Sequence, residues 1–274
     1  MSPLTAKDSL ALQPLVVHWL GSISVCCAVL FTYASVVRLS ENRWPGEISP
    51  AGLRVWLPSG VVIGSALIVS AAMLISWGGW STVVQIRPRS EWPGLLALAL
   101  ADQLAVASVE EILMRGLLFR LLEERLGSWW ALAISAVLFG LAHLGNDKAT
   151  LAGALGLSLQ AGVFLGAAFM VSRSLWFPIG IHWAWNGLQA GVLGGALSGT
   201  NVHAIYVTTP VGPAYLSGGA FGLEGSIIAT ALCATLGVFF CLAAVKMQSI
   251  RCGFWARDSL GPGPADADPS HPSS

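Results

Sequence analysis

Three short polar clusters interrupt the apolar stretches of this sequence: Ser108-Val109-Glu110-Glu111-Ile112-Leu113-Met114-Arg115, Phe139-Gly140-Leu141-Ala142-His143 and His182-Trp183-Ala184-Trp185-Asn186. Ionisable groups in a bilayer cost several kcal/mol unless paired or facing a cavity, so each is a functional candidate. Helical spacing fixes who shares a face. Glu111 and Arg115 are four apart and can pair, as can Phe139 with His143 and His182 with Asn186. Glu110 projects about 100° away from Glu111, so one carboxylate can be ion-paired while its neighbour points into a polar cavity.

These residue types suit the hydrolysis of an amide without a nucleophilic serine or cysteine. Glu110 would take a proton from water, and His143 would hold that water or share the proton. The oxyanion that forms needs preplaced donors, which His182 and Asn186 could supply. Arg115 would neutralise Glu111 and hold the helix register. The same set permits metal chemistry: Glu110, His143 and His182 match the ligand types of a catalytic zinc site with an open position. They lack the H-E-x-x-H arrangement in which both His come from one helix. Asn186 and the adjacent carboxylates are better explained by water activation, so no metal or other cofactor is favoured and zinc is the alternative.

Helices must bring these clusters together, and the composition says in what solvent. The chain has 274 residues, 55% apolar and 10% charged, with a mean hydropathy of +0.71. Soluble domains are nearer a quarter charged. Its 31 Gly and 12 Trp agree with membrane helices and their interfaces. Seven stretches approach the roughly 20 residues that span a bilayer: Leu15–Val37, Val55–Trp77, Gly94–Val109, Trp129–Leu144, Leu151–Val171, Leu175–Gly195 and Ser226–Val245. The third is expected to continue as helix to about Leu126, because neither Gly nor Pro interrupts Leu95–Arg115. The fold expected is an all-α polytopic membrane bundle of about seven helices, with an eighth or re-entrant segment within 196–224 left open. The helical domain would cover 1–252, with its motif core at 108–186, and 253–274 would be a disordered tail.

The basic residues orient the bundle. With the N-terminus outside, Arg38, Arg43, Arg54, Arg115, Arg120, Arg125, Arg173, Lys246, Arg251 and Arg257 fall on the cytoplasmic side, and the positive-inside rule favours N-out, C-in. Small residues four apart, at Gly60/Gly64, Gly162/Gly166 and Gly191/Gly195, suggest close helix packing. Equal counts of 14 basic and 14 acidic residues give no field for nucleic acid. The five Cys form no CxxC pair and read as small apolar residues. His18 reads as an interfacial or packing residue, Glu123-Glu124-Arg125 as a solvated helix end, and Glu224 as favouring the start of the last helix through its dipole.

Glu110-Glu111-x-x-x-Arg115, Phe139-x-x-x-His143 and His182-x-x-x-Asn186 together resemble the three signature motifs of the CPBP family of intramembrane proteases. That family includes type II CAAX prenyl endopeptidases and the Abi bacteriocin-immunity proteins. Phe221–Ser226 resembles a further segment frequent in bacterial members. The resemblance implies a multi-pass cell-membrane protein that hydrolyses a peptide bond in a protein or peptide substrate at the lipid bilayer. Glu110 would be the general base, His143 its partner on the water, His182 and Asn186 the oxyanion donors, and Glu111 and Arg115 supporting members. Members have been classed both as glutamic proteases and as metalloproteases. Met114 departs from the aromatic residue many members carry before the Arg, which implies altered packing. Two readings stand beside proteolysis: a proton-coupled transporter, against which no internal repeat is visible, and a non-catalytic membrane scaffold or immunity protein.

Overall fold

The computed structural model describes residues 6–253; the expected tail from 254 onward lies outside the described residues. Helix α1 (Ala6–Glu41) and α2 (Pro50–Trp77) come first. Ser49 caps α2 by accepting the Gly52 N–H at 3.2 Å, and Pro50 occupies the first turn, where a missing N–H costs nothing. After strand β1 (Ser81–Ile86), α3 (Trp92–Glu111) passes through a π-helical stretch, Ile112–Phe119, into α4 (Arg120–Leu126) without a break. The continuation to Leu126 thus forms, though with π geometry in the middle. Gly127, at φ 84°, turns the chain into α5 (Ser128–Ala142). Helix α6 (Leu151–Leu157), a π turn at Ser158–Val163 and α7 (Phe164–Ser172) make one run. Then follow α8 (Trp176–Leu188) with a π turn at Gln189–Leu193, strands β2 (Ala196–Leu197), β3 (Thr200–Asn201) and β4 (Tyr206–Pro210), the short α9 (Ala214–Ser217), and α10 (Ile227–Lys246).

The described residues are 76% helical. Among the described residues five helical runs are long and apolar enough to cross a membrane: Leu15–Glu41, Pro50–Trp77, Ser128–Gly145, Leu151–Ser172 and Ile227–Lys246. The all-α expectation meets an exception in two small antiparallel pairs, β1 with β4 and β2 with β3. The 196–224 connection holds β2, β3, β4, α9 and 3-10 turns; no spanning or re-entrant helix lies within it.

Glycine sets how closely the core helices approach. A Cβ at Gly60 would collide with the Phe177 carbonyl, and one at Gly64 with the Ile181 carbonyl, so α2 lies backbone to backbone on α8. Gly162 meets the Ala136 backbone of α5 in the same way. The third expected pair does not make a helix face. Gly191 packs on Ala99 and Leu96 of α3, whereas Gly195 sits beyond the helix at φ 77°.

At the end where α1, α4 and α7 finish, charges are buried in pairs. Glu123, expected to be solvated, is fully buried. It accepts the Ser128 hydroxyl at 2.5 Å and the Arg173 guanidinium at 2.7 Å. Arg120 likewise reaches Glu41 on α1. Helical spacing alone could not reveal these partners, which arrive from other helices.

Because Gly64 permits the approach that holds α8, Gly64→Ala is expected to force the helices apart and cost about 1–3 kcal/mol. Thermal unfolding in detergent should show a lower midpoint than wild type.

Candidate active site

Glu111 ends α3 with its carboxylate fully shielded from solvent. Its Oε1 accepts from Arg115 Nη1 at 3.0 Å and lies 2.9 Å from His182 Nδ1 on α8. Arg115 sits in the π stretch and donates from Nη2 to the carbonyls of Ala161 at 2.6 Å and Gly162 at 3.2 Å. Those carbonyls belong to the π turn between α6 and α7. Such turns shift the register of the backbone ladder and recur at functional sites. The guanidinium also lies 4.8 Å from the Phe139 ring centroid. Four segments are thus joined around one ion pair.

Glu110, one residue away, faces a cleft of about 350 Å³ lined by Gln103, Val106, His143, Asn186 and Thr200 among others. Its Oε2 lies 3.9 Å from His143 Nε2 and 4.0 Å from His182 Nε2. His143 follows α5, and its Nδ1 lies 2.8 Å from the Phe139 carbonyl. A carbonyl only accepts, so Nδ1 carries the proton and the Nε2 lone pair faces Glu110. Phe139 lies tilted against His143, ring centroids 4.8 Å apart, and meets His182 edge-on at 6.2 Å, so it packs on both rings. All seven residues of the three motifs therefore meet in one place.

His182 is held by the same logic. With Nδ1–H given to the Glu111 carboxylate, Nε2 accepts from Asn186 Nδ2 at 3.1 Å. The Asn186 amide also donates to Gln103 Oε1 at 3.0 Å. Gln103 was not picked out from the sequence, although it lies seven residues before Glu110 and so two turns along the same stripe. Behind the imidazoles a second cavity, about 40 Å³, shares Phe139, His143, Asn186 and Ser198 with the cleft and is also lined by Gln160 and Glu224. Glu224 does not serve the start of α10. Ser226 caps that helix by accepting from Ala229 N at 3.1 Å, while Glu224 turns inward to Ser198. Burial pushes the Glu224 carboxyl up from the ordinary range, and its bonds from Ser198 oppose that shift.

A metal suits these donors poorly as they stand. Ligand atoms on a tetrahedral zinc are about 3.3 Å apart, given bonds of about 2.0–2.1 Å, and the Glu110–imidazole separations are longer. The His182 Nε2 lone pair already accepts from Asn186. Among the described residues no group of three His, Cys, Asp or Glu is spaced to hold a metal ion.

The three motifs converge on one buried knot and one cleft, and the same stretch of chain carries a family likeness. Residues 90–188 match the model of the Rce1-like type II CAAX prenyl endopeptidases. This Rce1-like segment runs from just before α3 to the end of α8, encloses every motif residue, and agrees with the resemblance read from the motifs. No match was found among the curated proteins or the solved structures. The Rce1-like family is one of proteases, which supports a hydrolase acting on a peptide or protein at the membrane.

Arg115→Met would leave the Glu111 carboxylate buried beside an apolar side chain, an expected loss of about 3–5 kcal/mol. Yield and thermal midpoint in detergent should fall sharply. The double variant Glu111→Gln/Arg115→Met should recover part of both.

Proposed function

We propose that this chain is an intramembrane endopeptidase that hydrolyses a peptide bond with a water activated by Glu110 and His143. The observation that carries the reading is the 3.9 Å separation of Glu110 Oε2 and His143 Nε2. Both atoms are acceptors, too far apart for a direct hydrogen bond and well separated for a water whose two O–H groups reach one each. Glu110 takes the proton as the oxygen attacks the carbonyl carbon, and later returns it to the leaving amine. The proton and the electron pair therefore stay within the site and the products.

The oxyanion takes its donors from the α8 pair. Asn186 exchanges its contact with His182 for the developing charge, and His182, having taken up a proton from solvent at Nε2 before the reaction and keeping it throughout, adds a second donor. The Glu111 carboxylate at Nδ1 balances that imidazolium. Arg115 pairs with Glu111 and holds it in place. Zinc held by Glu110, His143 and His182 would require these side chains to close in and Asn186 to release His182; the present spacing favours the metal-free route.

The substrate is a membrane-associated protein, with prenylated CAAX-type chains the class suggested by the matched family. We read seven crossings, the five apolar runs together with α3–α4 and α8, with the N-terminus outside and the C-terminus cytoplasmic.

Glu110→Gln keeps size and polarity and removes the base. Comparing membrane-proteome N- and C-termini between cells with equal amounts of wild type and variant should show product termini that drop about 100-fold or more in the variant. Termini unchanged by the substitution would end the glutamate-base reading.

A further inference from the structure

Glu224 is a buried carboxylate that the reaction above does not use, and its contacts run to one place. Strands β2 and β3 are joined through Ser198 and Gly199, at φ 47° and 84°. Two positive φ values in a two-residue loop make the tight hairpin whose twist matches its strands. Serine is strained there, and surrounding contacts must hold it.

Each backbone polar group of the tip is engaged from outside the hairpin. Ser198 N–H and Oγ–H both donate to Glu224 Oε2, at 2.7 and 2.6 Å. The Ser198 carbonyl accepts from Asn146 Nδ2 at 2.6 Å. Gly199 N–H donates to the Phe221 carbonyl at 2.7 Å, and its carbonyl accepts from Lys148 N at 3.2 Å. Glu224 is itself fixed, because Gln160 Nε2 donates to its backbone carbonyl and to Thr230 Oγ1. The tip so held borders both the cleft that Glu110 faces and the smaller cavity behind His143 and Asn186.

We infer that Glu224 is a positioning residue: through Ser198 it holds the 196–201 hairpin as a fixed wall of the catalytic cleft, against which the substrate chain is aligned. Leu197, Ser198 and Thr200 form that wall, in a cleft also lined by Val106 and Met114 of the α3 run. The role of the wall rests on the protease reading; the clamp does not. The carboxylate acts as an acceptor only, so a glutamine oxygen in its place can receive the same two bonds. Alanine cannot.

Amide hydrogen exchange in nanodiscs tests the clamp, and counting product termini in cells tests the wall. Losing the clamp should speed exchange at Ser198 and Gly199 about tenfold in Glu224→Ala, since each of its two bonds is worth about a factor of three. Product termini should fall by a similar factor. Glu224→Gln should keep both within about threefold of wild type, a rescue that separates acceptor geometry from charge. If Glu224→Ala does not accumulate, Ser198→Ala removes one bond and no charge, and should raise exchange about threefold. A tip as protected in the alanine variants as in wild type overturns the clamp. A Glu224→Gln protein with a protected tip and no products overturns the positioning role, because the carboxylate would then act chemically. Wild-type cells without product termini would sink the protease reading and leave the exchange result to decide the clamp.

Discussion

A carboxylate can be kept inside a membrane bundle only if the groups around it supply what water would have supplied, and Glu111 is the residue on which that requirement falls. Its charge is met by Arg115 one turn on and by His182 from another helix. Arg115 in turn donates from Nη2 to the Ala161 and Gly162 carbonyls. None of these partners can leave without exposing a buried charge, so α3, α8 and the turn between α6 and α7 are bound in register. Replacing the whole cluster with apolar side chains could leave a stable bundle. Its value lies in where it fixes the histidine.

With that knot in place the adjacent Glu110 has no freedom to share it. It points about 100° away, into the cleft, where it meets the lone pair of His143. Two neighbouring glutamates thus have opposite surroundings, one sealed and neutralised, the other part-exposed beside a histidine whose tautomer is set by the Phe139 carbonyl. Phe139 links the two halves, lying under the Arg115 guanidinium and against both imidazoles. Close packing through Gly60 and Gly64 then holds α8, and with it His182 and Asn186, at the depth where the other residues stand.

Much of this site is legible in the sequence because its contacts within each motif are local. Glu111 to Arg115, Phe139 to His143 and His182 to Asn186 follow from helical spacing alone. The long apolar stretches likewise announce the helices that carry them. Contacts between elements have no such periodic mark. Gln103 on Asn186, Ser198 on Glu224 and Arg173 on Glu123 depend on how helices and loops are brought together. That is why Glu123 reads as solvated and Glu224 as a dipole partner until the fold is known. The π stretches were also beyond reach, since a one-residue shift in a hydrogen-bond ladder leaves no compositional trace.

The central claim is that Glu110 and His143 activate a water without a metal ion. Its most direct test is the purified protein's metal content, measured by plasma mass spectrometry alongside hydrolysis of its identified substrate before and after treatment with a zinc chelator. The account predicts zinc well below one ion per chain and a rate the chelator leaves unchanged. Stoichiometric zinc, with activity lost on chelation and restored by adding the metal back, would contradict it.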